Sequence, residues 1–217
     1  MMSLISDNED WNKGEEYDID DEEAETACSI LDRLALAVHN NIMPILFENG
    51  VVQAMISSEN WKERNAALTA IAIIGEGCCD SLKDNLSDVV DIILHSVKDP
   101  TARVRWTAIH SIGQLSTDFA PLFQKRFHHQ ILSIISNGMK DDANPRIQSV
   151  SAEATINFCN EANCELIKPY LEELMNNIMY LLSIKNEGII SGAITAAASI
   201  ADSTKSDFVP VCTRCCN

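Results

Sequence analysis

Four polar residues interrupt apolar stretches of the chain: Asp32 in Ile30-Leu31-Asp32-Arg33, Glu76 in Ile74-Gly75-Glu76-Gly77, Gln114 in Ile112-Gly113-Gln114 and Asn157 in Ile156-Asn157-Phe158. They follow one another at steps of 44, 38 and 43 residues. Each carries a carboxylate or amide oxygen that accepts hydrogen bonds, and the charged side chains that only donate are lysine and arginine. A row of such acceptors captures a cationic segment through charge-assisted hydrogen bonds. The spacing equally fits polar residues at helix ends that face water or bond neighbouring loops, and both readings stay open at this point.

Other chemistry is incomplete. Cys212-x-x-Cys215 with Cys216 is half of a zinc site, and no second Cys or His pair lies at the usual spacing. A frayed, thiol-rich tail is the expectation there. None of the five histidines, His39, His95, His110, His128 and His129, is followed by Glu, and no phosphate-binding glycine loop or nucleophile elbow occurs. No catalytic set, metal site or cofactor is expected, and the chain reads as a binding protein rather than an enzyme.

Elements that repeat at the same period must position the four acceptors. Trp61-Lys62-Glu63-Arg64 leads into an Ala-rich stretch ending at Ile74-Gly75. Asp99-Pro100 leads through Arg103-Val104-Arg105 to Ile112-Gly113, and Asn144-Pro145 leads through Arg146-Ile147-Gln148 to Ile156-Asn157. The three arginines are spaced 39 and 43 residues apart, the period of two-helix solenoid repeats of the HEAT and armadillo class. Proline stops the first helix of each unit and opens the second, where its missing N–H costs nothing. Small residues such as Ala66, Ala67, Ala70 and Ala72 let the second helix pack closely. Leu86, Val89, Val90, Ile93, Leu94 and Val97 recur at helical spacing, as do Leu171, Leu174, Met175, Ile178, Leu181 and Leu182.

The pattern predicts a lone second helix over 23–39, then the pairs 42–56 with 61–75, 86–97 with 101–117, 126–139 with 145–160, and 169–183 with 187–202. No strand competes. Positions one repeat apart then line up along one face at about 10 Å, the ordinary distance between packed helices. The arginines that open the second helices, Arg64, Arg103 and Arg146, are expected to bond loop carbonyls or acids between repeats. Trp61 and Trp106 are expected to pack between repeats rather than stack on a ligand.

Charge narrows the partner. The 217 residues carry 32 acids and 16 bases, a net charge of -16. This disfavours nucleic-acid phosphates and anionic membrane surfaces and favours a basic protein or peptide. Eleven of the acids, among them Asp18, Asp20, Asp21, Glu22 and Glu23, fall between Met1 and Glu25 with one base, Lys13. Residues 1–25 are thus an acidic, loosely ordered segment. Trp11 and Tyr17 lie within it, and their rings suit stacking on Arg or Lys of a basic ligand. No apolar run reaches the ~18–20 residues of a membrane span, and Met1 to Asp10 lacks the features of a secretory signal. The eight cysteines are expected to be reduced, in the cytosol or nucleus.

The chain resembles the importin-beta superfamily of nuclear transport receptors, in its importin beta-3 branch. The likeness is carried by Leu31-Asp32-Arg33-Leu34-Ala35, Trp61-Lys62-Glu63-Arg64 with Gly75-Glu76-Gly77-Cys78, Asp99-Pro100 with Arg103-Val104-Arg105, Gly113-Gln114 with Thr117-Asp118-Phe119-Ala120-Pro121, and Ile156-Asn157-Phe158 with Pro169-Tyr170-Leu171. It runs from about Trp11 to Pro210. The resemblance implies an all-α, α-α superhelix of about five HEAT repeats over 26–210, a central block of a longer receptor, with a divergent Cys-rich tail over 211–217. It implies an import receptor that binds basic nuclear-localisation-signal cargo and moves between cytoplasm and nucleus. Nucleoporin Phe-Gly repeats and the GTPase Ran would be further partners, and Ran regulation is in question without the N-terminal repeats. Asp32, Glu76 and Asn157 match positions that hold lysines of the signal, which favours the acceptor ladder. The acidic segment resembles the acidic loop that meets basic partners or Ran in this superfamily. The competing reading is a HEAT-repeat scaffold of the phosphatase-subunit type with no transport role.

Overall fold

The computed structural model describes Trp11 and residues 22–215, and every regular element among them is helical. In chain order the helices are α1 (Glu22–Val38), α2 (Val51–Ile56), α3 (Trp61–Ile73), α4 (Cys79–Asp84), α5 (Leu86–Ser96) and α6 (Ala102–Asp118). They continue as α7 (Leu122–Gly138), α8 (Pro145–Asn160), α9 (Cys164–Ile167), α10 (Leu171–Leu182), α11 (Glu187–Thr204) and α12 (Phe208–Cys215). Two compact units divide the chain inside α6: the first holds Trp11 and residues 22–114, the second residues 115–215.

In the first unit the second helices α1, α3 and α6 neighbour one another in turn. Asn60 caps α3 by accepting the Lys62 N–H at 3.0 Å. Its buried face, Ala66, Ala67, Leu68 and Ile71, is small enough to admit neighbours on both sides. Polar ties add to that packing. The Thr107 hydroxyl of α6 donates to the Asn65 side-chain oxygen of α3 at 2.7 Å, a buried pair. The Ser111 hydroxyl bonds the Thr107 carbonyl of its own helix at 2.8 Å and reaches the Leu68 carbonyl of α3 at 3.4 Å.

The strongest tie joins the start of α3 to the breaker before α6. Arg64 forks onto Asp99, Nε to Oδ2 at 2.6 Å and Nη2 to Oδ1 at 2.9 Å, while its Nη1 donates to the Ser58 and Glu59 carbonyls. Asp99 also accepts the Thr101 N–H at 2.8 Å. Arg64 thus takes the predicted loop role. Arg103 does not: its guanidinium lies over aromatic rings, and Arg105 bonds the Asp99 and Pro100 carbonyls instead.

The second unit packs α8 on α11, α7 on α8, α10 on α11 and α10 on α12. The α8–α11 contact is close because its facing residues are small, with Ala152, Ala154, Ala193 and Ala196 all buried. The Ser203 hydroxyl is shared between the Ser199 carbonyl of α11 and the Cys159 carbonyl of α8. Asn177 of α10 reaches the Ser136 carbonyl of α7 at 3.4 Å.

Several boundaries differ from the sequence reading. The helix expected over 42–56 is broken: a 3-10 turn (His39–Ile42) and a wide π-type turn (Pro44–Glu48) precede α2. Gly50 supplies the left-handed bend, at φ 69°. Short helices α4 and α9 occupy stretches read as connections. Helix α7 starts at Leu122, four residues before the expected Arg126. The tail is helical rather than frayed: α12 follows Val209-Pro210 and buries Val211 against α10. Among the described residues no group of His, Cys, Asp or Glu is arranged to hold a metal, and no helix is long and apolar enough to cross a membrane.

Two consequences are measurable. Burial alone would raise the Asp99 carboxyl, but hydrogen bonds from Arg64 and Thr101 and the Arg64 charge outweigh it and hold the group below its usual range. The stability this lends is present at neutral pH and is lost as pH falls from about 4 through the folded value. Asp99→Asn is expected to cost about 1–3 kcal/mol in urea unfolding at pH 7, a difference that closes in acid. In the second unit, burial pushes the Cys159 thiol up to about 12. Its thiolate is therefore about one part in ten thousand at pH 8, and mass spectrometry after iodoacetamide treatment should find Cys159 unmodified until the protein is unfolded.

Candidate functional site

Each predicted acceptor has a defined place. Asp32 is half-buried near the middle of α1. Glu76 is exposed and lies one turn beyond α3, in the bend over 74–78, rather than in a helix. Gln114 is half-buried in α6, and Asn157 is half-buried in α8. Asp32, Glu76 and Gln114 belong to the first unit, and Asn157 to the second. Of the acidic segment, Asp18, Asp20 and Asp21 lie outside the described residues, and Glu22 and Glu23 open α1.

The junction of α1 with the 74–78 bend relates Asp32 to Glu76. A Cβ on Gly77 would lie 2.6 Å from the Ala35 carbonyl carbon, 2.7 Å from its oxygen and 2.9 Å from the Leu36 nitrogen. The bend therefore rests directly on the α1 backbone, and only glycine permits that approach. Going onward, the chain runs toward the end of α1. The Gly77 carbonyl meets His39 Nδ1 at 3.3 Å, and the Cys78 thiol donates to the His39 carbonyl at 3.4 Å. Glu76, which precedes the contact, therefore lies on the Asp32 side of it. Asp32 is three residues before Ala35, an axial distance of about 4.5 Å. Two carboxylates with no intervening base on either segment make this corner of the unit negative.

The third first-unit acceptor sits beside an aromatic cluster. Trp106, His110 and Gln114 recur every fourth residue and share one face of α6. Trp106 stacks on His110 with ring centroids 5.2 Å apart, and the edge of Trp11 meets Trp106 at 6.3 Å. The Arg103 guanidinium lies 5.7 Å from the Trp11 ring centre and 5.9 Å from that of Trp61. Trp11 is buried, at 7 % exposure. The ring expected to stack on a ligand's cation thus stacks on the chain's own arginine, and Trp61 and Trp106 pack internally as expected. Tyr17 lies outside the described residues.

The helix pairs, their Arg–Asp tie and their period define a HEAT-repeat protein of the α-α superhelix class, with about five repeats. No protein-family model matches the chain. It is 33% identical over 217 aligned residues to importin subunit beta-3 of Saccharomyces cerevisiae, covering 96% of this chain and 20% of that protein. The crystal structure of Kap121p bound to Pho4p superposes with a TM-score of 0.89 at 29% identity, over 96% of this chain and 21% of that one. A Kap121p variant superposes with a TM-score of 0.90 at 28% identity over the same shares, and in it an Asp, a Glu and an Asp, each a little over forty residues from the next, are changed to Lys. The chain belongs to the importin-beta superfamily, in its importin beta-3 branch. It spans about a fifth of the length of these relatives.

The variant points to a residue that the sequence reading passed over. Asp118 closes α6 one turn beyond Gln114, and Asp32, Glu76 and Asp118 are an Asp, a Glu and an Asp at steps of 44 and 42. The signal was charge: at the third position an amide was selected where a carboxylate stands four residues later.

The Gly77 contact gives a direct test. Gly77→Ala forces backbone apart at α1, and a loss of at least about 2 kcal/mol is expected in chemical unfolding. Ala72→Gly, which opens space in α3 without touching α1, should leave the His39–Cys78 amides protected in hydrogen exchange, whereas Gly77→Ala exposes them.

Proposed function

We propose that the chain holds basic cargo as part of a nuclear import receptor, capturing lysine or arginine side chains of a localisation signal on its second-helix face. The observation that carries this is the pairing of Asp32 and Glu76 across the Gly77 contact, two acids in one corner with no neighbouring base. Gln114, with Asp118 after it, would add further oxygens from α6, and Asn157 would offer a polar capture point on the second unit. The acidic segment, Asp18 to Glu23, would raise the local concentration of a cationic ligand through its long-range field.

Kinship supports the reading: the relative is named an importin subunit, Kap121p has been crystallised with Pho4p bound, and a Kap121p variant replaces acids at matching intervals with Lys. On this reading the protein works in cytoplasm and nucleus, performs no covalent chemistry and needs no cofactor. Nucleoporin Phe-Gly repeats and Ran would be partners of the longer receptor of which such a segment forms part.

The mechanism needs no moving chemistry. An extended peptide advances ~3.3 Å per residue, so alternate side chains reach the same face and a lysine can seat between the two carboxylates. Its ammonium has three donors to distribute among their oxygens. Isothermal titration of a lysine-rich signal peptide against the whole chain should give binding that weakens steeply between about 50 and 200 mM salt. Asp32→Lys with Glu76→Lys should lower the affinity at least about tenfold through loss of attraction and added repulsion. Affinity unchanged by that double reversal would refute the assignment, and recovery of a stable enzyme complex in place of basic proteins from cytosol would favour a scaffold instead.

A further inference from the structure

A groove of about 480 Å³ opens on the first unit between the segment joining α1 to α2 and the pair α4 and α5. It exists because the helix expected over 42–56 is interrupted. The wide turn at Pro44–Glu48 and the left-handed Gly50 leave unfilled the space that a continuous helix would take against α5. Its floor is apolar: Met43 and Val89 are buried, and Phe47 and Ile92 are half-buried, so both keep surface to offer. Its rim carries three exposed carboxylates, Glu48, Asp84 and Asp88, none of which is ion-paired among the described residues. Lys83 is the only base on α4 and leaves the rim negative.

We propose that this groove docks a partner's amphipathic helix, one whose apolar stripe is bordered by lysine or arginine. The volume lies in the range of specific binding pockets, and the lining joins helical elements on both sides, the setting in which an apolar helix face inserts. The apolar floor supplies burial. The three carboxylates set the sign of the flanking charges and so exclude neutral or acidic helices. This is a second interaction surface, built from first helices, and it is independent of the Asp32–Glu76 corner.

The test uses the whole chain and a fluorescein-labelled leucine–lysine peptide of about 18 residues, patterned so that its leucines form one helical face. Anisotropy titration at about 50 mM salt should show saturable binding. Asp84→Lys with Asp88→Lys, both exposed sites, should weaken it at least about tenfold. Phe47→Ala should weaken it severalfold while its salt dependence persists. Asp32→Lys with Glu76→Lys should leave it within about twofold, which separates this surface from the proposed cargo corner. Circular dichroism and thermal melts confirm that each variant is folded. The proposal is overturned if the Asp84/Asp88 reversal leaves the affinity intact, if the Asp32/Glu76 reversal abolishes it, or if an uncharged Phe-Gly-rich peptide binds as tightly as the cationic helix.

Discussion

The fork from Arg64 to Asp99 is the interaction on which the arrangement of the first unit depends. A two-helix unit cannot bury its apolar stripe alone and must lean on the next. Apolar contact sets how closely neighbours approach but is indifferent to sliding. The fork adds direction, because a planar guanidinium meets a carboxylate bidentately in few orientations. It fastens the start of α3 to the breaker that starts α6, while the remaining guanidinium donor holds the Ser58 and Glu59 carbonyls. One arginine therefore closes the loop before its own helix and fixes the register of the helix that follows. The positions of Gln114 and of the Trp106–His110 stack follow from that register.

Polar atoms elsewhere work to the same end. Asn65 and Thr107 meet in the interior between α3 and α6, and Asn177 spans from α10 to α7. Buried polar groups are tolerated only when bonded, so each such pair penalises a slipped neighbour that would leave it unmet. The binding corner rests on this order. Asp32 and Glu76 come from segments far apart in sequence, and they share a neighbourhood because Gly77 lets the bend lie on α1 with no side chain between.

Much of this was legible in the residues. The second helices stood out because a proline or polar cap opens them and small apolar residues fill them: α8 runs over Pro145–Asn160 as expected, and α3 and α6 fall within two residues of expectation. The first helices were harder. Over 42–56 the apolar residues keep a helical rhythm, yet Pro44 and Gly50 break the backbone that carries it, and periodicity alone does not report that. Helix α12 was missed because its cysteines drew attention to metal chemistry, while Val211 in fact packs on α10. Among the acceptors, spacing located the right repeats but not the element: Glu76 belongs to a bend, a position fixed by the long-range Gly77 contact that no local pattern contains. Arg103 likewise looked like a loop-bonding residue until Trp11, over ninety positions earlier, was seen stacked against it.

The hydroxyls shared between helices have a mechanical consequence. Ser111 is bonded to the Thr107 carbonyl of its own helix and to the Leu68 carbonyl of the neighbour, and Ser203 divides itself in the same way between Ser199 and Cys159. If adjacent helices shear by a fraction of an ångström, such a hydroxyl gives up only its longer bond and keeps the other. Its oxygen is never stranded, so the restoring force stays soft over small displacements. Seams stitched in this way yield elastically where a fully apolar, interlocked seam would resist and then slip by a whole ridge.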